Sequence, residues 1–217
     1  MEINAAAAWL NTVFAEFDLN VTLAIHWLAE IGGWFFTPFF KFVAFLGHDG
    51  IVLIILALIL AVYKPTRRFG IAMCGGILVG ALITNCAVKI LVARPRPYAD
   101  ETSVYYQLWT TVGMSIESDK SFPSGHVTAA MAASLSLFLA SHRKNIAWLY
   151  FLFTVAMCFC RIYLVVHYPT DVIGGLIVGT IGGISGYIIM THIPVKFYEL
   201  CLFKNAEGKE YSGKHSR

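Results

Sequence analysis

Between Gly50 and Met190 the chain repeats one pattern, an apolar run followed by a short polar break. The runs are Gly50–Tyr63, Gly70–Val92, Val127–Ala140, Ile146–Val166 and Val172–Met190. A hydrocarbon core of about 30 Å takes roughly 20 apolar residues in a helix. Gly70–Val92 reaches that length alone, and Gly50–Tyr63 can be extended at both ends. The pattern predicts an all-α polytopic membrane bundle with five transmembrane helices. Composition agrees: 58% of the residues are hydrophobic and 13% are charged, against about 25% charged in soluble domains.

The first 47 residues fit this scheme less simply. Ala5–Phe17 is too short to span. Leu19–Leu46 is long enough, but Glu30, Gly32-Gly33, Pro38 and Lys41 interrupt it. It reads as two interfacial helices, with Trp27, Trp34 and the phenylalanines at headgroup depth; a sixth span is the alternative. The expected organisation is therefore interfacial helices in 1–47, a transmembrane core in 48–193 and a polar tail in 194–217. Within that tail, Lys204–Arg217 is expected to be disordered. Met1–Ala8 has no basic segment and carries Glu2, so no cleavable signal peptide is expected.

Short loops set the orientation. Lys64, Arg67 and Arg68 join the first two spans, and His142-Arg143-Lys144 joins the third and fourth. The tail carries Lys196, Lys204, Lys209, Lys214 and Arg217. With five alternating spans these clusters share one face, which the positive-inside rule makes cytoplasmic. Five spans put Met1 outside, and six put it inside.

Charge at membrane depth is costly and marks function by default. Three motifs carry it: Lys89-x6-Arg96-Pro97, Pro123-Ser124-Gly125-His126, and Arg161-x5-His167-x3-Asp171. By the span count all three meet at the outer face. Arg96 and Arg161 offer planar forks that match phosphate oxygens, and Lys89 adds a point charge. Ser124-Gly125 opens a helix whose N–H groups can point at an anion. His126 is placed to protonate a leaving oxygen. Asp171, four residues after His167, can fix its tautomer and raise its nucleophilicity. Arg94 is expected to snorkel to headgroups and Asn85 to satisfy a neighbouring helix. The Tyr98–Asp119 connection, with Tyr105, Tyr106 and Trp109, is either a passive surface loop or a lid.

Other features point elsewhere less strongly. The five cysteines read as small buried hydrophobes, since only Cys158 and Cys160 are close and no zinc-ligand spacing accompanies them. A metal on His126, His167 and Asp171 is disfavoured by the surrounding cations, and no cofactor is expected. The net charge of +3 comes without a basic stripe for nucleic acid. Gly175, Gly179 and Gly183 have the small-xxx-small spacing of close helix packing. It is expected to serve packing inside the bundle, and the oligomeric state is left open.

The three motifs resemble, in order and spacing, those of the type-2 phosphatidic acid phosphatase superfamily, over about Phe39 to Ile193. The resemblance implies a helical bundle that hydrolyses phosphomonoesters or diphosphates without metal. It implies His167 as a nucleophile that forms a phosphohistidine, with Asp171 orienting it. His126 would be the general acid and then the base. Lys89, Arg96, Ser124, Gly125 and Arg161 would hold the phosphoryl oxygens. One departure is Cys160, where the family's third motif usually has serine. The layout is similar to the family's small bacterial undecaprenyl-diphosphate phosphatases. The expected activity is hydrolysis of undecaprenyl diphosphate to the monophosphate in the cell membrane. The alternatives are a broad-specificity phosphatidate or phosphatidylglycerophosphate phosphatase, or a non-catalytic protein that binds or transports lipid phosphates.

Overall fold

The computed structural model describes residues 4–47 and 50–199. The expected disorder of Lys204–Arg217 and the 47/48 boundary fall on or beside residues outside that range. Helices α1 (Ala5–Val13) and α2 (Ala15–Gly47) come first, then α3 (Ile51–Val62) and α4 (Arg67–Leu82). Helix α4 continues through a π-helical stretch, Ile83–Val88, into α5 (Lys89–Val92). After α6 (Val104–Thr111) come α7 (Gly125–Ala140), α8 (Lys144–Ala147) and, past a 3-10 turn, α9 (Phe151–Tyr163). The described chain ends with α10 (Pro169–His192) and α11 (Val195–Glu199), and no strand occurs among the described residues.

Each of the five apolar runs is helical, but they differ in reach. Lys64–Ala99, Lys144–Tyr163 and Pro169–His192 are long and apolar enough to cross a membrane, and α2 with α3 makes a bent fourth candidate. Helix α3 has 12 residues and α7 has 16, about 18 and 24 Å at 1.5 Å per residue. Nine of the α7 residues are buried, most of them alanine or serine, because α7 runs between α4, α9 and α10.

Small residues set the distance between these helices. A Cβ on Gly186 of α10 would lie 2.1 Å from the Ala72 carbonyl oxygen of α4, and one on Gly182 would lie 2.7 Å from the Gly76 oxygen. The glycine ridge of α10 thus faces α4 and α7 of its own chain, as expected. With little hydrophobic drive between helices in lipid, this close backbone packing is what holds them together.

Ala15–Gly47 is two helical segments that meet at a kink at Gly32, where the backbone leaves helical geometry, in line with the two helices expected there. Glu30, Pro38 and Lys41 dilute its apolarity without stopping it. Its second half docks on α9: the Phe40 ring lies 4.7 Å from that of Tyr163, and Thr37 and Tyr163 share a 2.7 Å hydrogen bond. Cys160, in the place of the family's usual serine, donates its thiol to the Phe40 carbonyl. Phe40 and Val43 join Trp109, Val127, Met157 and Leu164–Val166 in one apolar cluster.

The basic loops meet at one end of the bundle. Arg68 is hydrogen-bonded to His142, and Arg67 donates to the Phe197 carbonyl. The three motifs lie at the other end, where α5 ends and α7 and α10 begin. If close packing of α10 on α4 holds the bundle, Gly186→Ala should lower stability by about 1–3 kcal/mol, the usual cost of overpacking. Ile184→Ala, on an exposed face, should not. Thermal unfolding in detergent compares them, and equal midpoints would remove this packing argument.

Candidate active site

Local backbone geometry brings each motif to this end. The π-helical stretch ends at Lys89, and Ala93, in the left-handed region at φ 49°, turns the chain out of α5. Pro95 and Pro97 then fix an extended path around Arg96. A Cβ on Gly125 would lie 3.6 Å from Lys89 Nζ, so the ammonium sits beside the first turn of α7. The Ser124 N–H donates to the Asp171 carbonyl at 3.0 Å, joining the starts of α7 and α10. After α9, Val165 adopts φ 53°. For a β-branched residue this is strained, and it turns His167 back toward Arg96. Asp171, in the first turn of α10, accepts the Tyr168 N–H at 2.9 Å.

His167 is fully buried, and its two ring nitrogens have different partners. Nε2 lies 2.9 Å from Arg96 Nη1, and Nδ1 lies 3.5 Å from both Asp171 Oδ2 and Ser121 Oγ. A guanidinium has only donors. Nε2 is therefore the bare, accepting nitrogen, and Nδ1 carries the proton toward Asp171. Burial, together with the charges of Arg96, Arg161 and His126, pushes the His167 pKa well below its usual value. The ring is thus neutral at physiological pH, the form that can attack.

His167, His126, Lys89, Arg96 and Gly125 line one cavity of about 360 Å³. Its other wall is apolar, built from Ile54 of α3, Ile77 and Ala81 of α4 and Ala129 of α7. Asp171, Ser124 and Arg161 stand behind this lining. Ser124 Oγ and Arg161 Nε are buried polar atoms with no hydrogen-bond partner among the described residues. Both can bond an oxyanion.

The expected site residues therefore converge, and the structure adds others. Arg94 was expected at the headgroups, but it is 1% exposed and bonded to Asp171, Asp18, Thr170 and Asn11. A cation that pairs inside the protein has no need to reach water. Asn85 lines the cavity rather than serving a neighbouring helix. The aromatics of the Tyr98–Asp119 connection pack rather than cover: Trp109 is buried, Tyr98 stacks on it at 4.5 Å, and Tyr105 meets Tyr168 edge-on.

The end of that connection reaches the site through two carboxylates that the motifs do not include. Glu117 pairs with Arg161, and Asp119 pairs with both Lys89 and Arg96. Burial would raise both carboxyls, but these cations outweigh it and hold them below their ordinary values. Both are anions that occupy the cations of the site.

A family model described as the PAP2 superfamily matches residues 69–193. The chain belongs to this family, the one its motifs resemble. It is 31% identical over 105 residues to the undecaprenyl-diphosphatase BcrC of Bacillus subtilis, covering 48% of this chain and 50% of that one. It is 34% identical to the decaprenylphosphoryl-5-phosphoribose phosphatase of Mycobacterium tuberculosis, covering 64% of this chain and 72% of that one. The crystal structure of Aquifex aeolicus LpxE superposes with a TM-score of 0.57 at 26% identity, covering 72% of this chain and 86% of that one. The chain spans half or less of the length of the first two relatives it matches.

Glu117→Gln and Asp119→Asn each remove an internal competitor for the cations. Vanadate, a phosphate mimic, should then bind more tightly, by about tenfold for each 1.4 kcal/mol of competition. Inhibition constants measure this. Weaker vanadate binding in both variants would mean that the carboxylates build the site rather than compete for it.

Proposed function

We propose that this protein is a lipid-phosphate phosphatase of the membrane, with undecaprenyl diphosphate as its favoured substrate. The observation that carries the reading is the His167 ring. Its bare Nε2 lies 2.9 Å from Arg96 and its Nδ1 faces Asp171, in a cavity shared with His126 and Lys89. Similarity to the undecaprenyl-diphosphatases of Bacillus subtilis and Sulfolobus acidocaldarius favours this substrate. The apolar wall of the cavity suits the first carbons of a lipid tail.

In this mechanism Nε2 attacks the terminal phosphorus and the bond from phosphorus to the bridging oxygen breaks. His126 gives that oxygen a proton, so the lipid leaves as the monophosphate. The imidazole gains positive charge as the phosphorus–nitrogen bond forms, and Asp171 stabilises it. His126 then takes a proton from water, which attacks the phosphohistidine. Phosphate leaves and both histidines are restored. Lys89, Arg96, Ser124, Gly125 and Arg161 hold the phosphoryl oxygens. Each well-aimed donor of this kind is typically worth about 3–4 kcal/mol of barrier.

His167→Ala should abolish turnover in a protein that still folds, and Asp171→Asn should be severe but less complete. Wild-type enzyme quenched during turnover of a ³²P-labelled substrate should carry acid-labile, base-stable label, absent in His167→Ala. Near-normal phosphate release from His167→Ala would sink the mechanism. The three-fold choice of class needs a substrate panel. Preference for phosphatidate would select the broad-specificity reading, and binding without release would select the transport reading. Activity is expected to survive EDTA, and its loss with recovery on added magnesium would contradict metal independence.

The proposed topology has five spans, with the site outside and the C-terminus in the cytoplasm. It is supported by the meeting of Arg68, His142 and the α11 carbonyls at the end opposite the motifs. In a cysteine-free background, a cysteine at Glu101 should react with an impermeant reagent added to cells, and one at Lys144 should not. The reverse pattern would put the site in the cytoplasm.

A further inference from the structure

We propose that Arg94, anchored by Asp18 of α2, is a positioning residue for the His167–Asp171 pair, so that the N-terminal helix forms part of the catalytic apparatus. This rests on the reading of His167 as nucleophile. Asp18 lies outside the segment matched by the family model, which begins at residue 69.

The geometry is a buried chain of charges. Arg94 Nη1 donates to Asp171 Oδ1 at 2.7 Å and Nη2 to Asp18 Oδ2 at 2.9 Å. Nε donates to Asn11 Oδ1 at 2.7 Å, and the guanidinium lies 3.7 Å over the Tyr168 ring. Asp18 in turn accepts the N–H and the hydroxyl of Thr170, both at 2.8 Å. Asp18, Arg94 and Asp171 are each at most 1% exposed. Arg94 does not line the cavity that holds His167 and His126.

This arrangement divides the work on Asp171 between its two oxygens. Oδ2 faces His167 Nδ1 and is also held by Ser121 Oγ and the Tyr168 N–H. Oδ1 belongs to Arg94. With both oxygens committed, the carboxylate cannot rotate away from the ring. Its negative charge is also kept in place by a cation on the side away from the substrate. Without Arg94, two buried carboxylates would stand with no cation between them, which is costly. Lysine would supply the charge but not the fork that reaches Asp18, Asn11 and Asp171 together. Asp18 gives Arg94 its far anchor, and through Thr170 it also ties α2 to the first turn of α10.

The test is a double-mutant cycle on the purified full chain, with kcat, KM and the vanadate inhibition constant measured for each variant. Arg94→Gln should lower kcat by about 10- to 100-fold, the range seen when a partner that orients a ligating or reacting group is removed. The vanadate constant should not change, because the donors of Arg94 are committed to Asn11, Thr170, Asp171 and Asp18 and it does not line the cavity of His167. Arg94→Lys should fall between, and Asp18→Asn should lose less than Arg94→Gln. The double variant Arg94→Gln/Asp171→Asn should be no slower than Asp171→Asn alone, since Arg94 acts through that aspartate. Multiplying losses in the double variant, or an unchanged kcat in Arg94→Gln, would overturn the proposal. So would vanadate binding that weakens in step with kcat, which would make Arg94 a phosphate ligand. If Arg94→Gln fails to fold, Arg94→Lys and Asp18→Asn in the same cycle decide by the same criteria. An active His167→Ala would sink the mechanism itself. An inactive one with multiplying losses at Arg94 and Asp171 would sink only this proposal.

Discussion

Every buried charge at the motif end of the bundle is held by a charge of opposite sign, and the architecture there follows from that need. Ionised groups taken out of water are stable only when their bonds are completed by the protein. Arg94 is completed by Asp18 and Asp171, Arg96 by Asp119 and main-chain oxygens, and Arg161 by Glu117. These partners come from α2, the connection before α7 and the start of α10. The pairing therefore decides which segments must meet. A helix bundle packed by small residues alone would leave the relative heights of its helix ends weakly specified; the ion pairs specify them.

Glycine packing and ion pairing act on the same helices in different ways. The α10 ridge lets α4 and α7 approach along their length, and the hydrogen bond from Ser124 to the Asp171 carbonyl fixes their register at the site. The π-helical stretch before Lys89 and the left-handed Ala93 and Val165 are local departures from regular backbone. Each lies within two residues of a charged or candidate catalytic side chain: Lys89, Arg94 and His167. Strain of this kind costs of order 1–3 kcal/mol per residue and persists only where surrounding contacts over-determine it. Here the contacts that do so are the ion pairs themselves.

The apolar runs and the three motifs were legible because each is local: a run of Leu, Ile and Val, or a fixed spacing within a dozen residues. All eight candidate site residues fall at one end of the bundle, and five of them line one cavity. What sequence reasoning missed is non-local. Arg94 has the same local signature as a snorkelling arginine, and only Asp18, far away in the chain, distinguishes the two. Glu117 and Asp119 were not singled out, because their cationic partners, Arg161, Lys89 and Arg96, lie far from them in the chain. Of the four interruptions read in Leu19–Leu46, only Gly32-Gly33 breaks the helix; Pro38 and Lys41 lie inside the second segment. A signal was present in Asp18, an acid in a mostly apolar segment, but its partner could not be named without the fold.

The same accounting bears on how a phosphate can enter. Lys89, Arg96 and Arg161 already hold two carboxylates, so an incoming phosphate gains only the difference between its own bonds and theirs. A diphosphate carries more charge than a single carboxylate and can engage several forks at once, which favours exchange. The displaced Glu117 and Asp119 belong to a short segment between the packed Trp109 and the Ser121 bond to Asp171. Tyr98 and Arg96 also hold the backbone at Glu117 and Asp119, while the two carboxylate side chains are 21% and 46% exposed and within reach of water. Arg94, by contrast, is bonded to Asp18, Asn11, Thr170 and Asp171, none of which lines the cavity of His167 and His126. In the proposed mechanism, cations that trade partners and a cation that does not would thus divide two tasks: Lys89, Arg96 and Arg161 would recognise the phosphate, and Arg94 would keep Asp171 fixed behind His167.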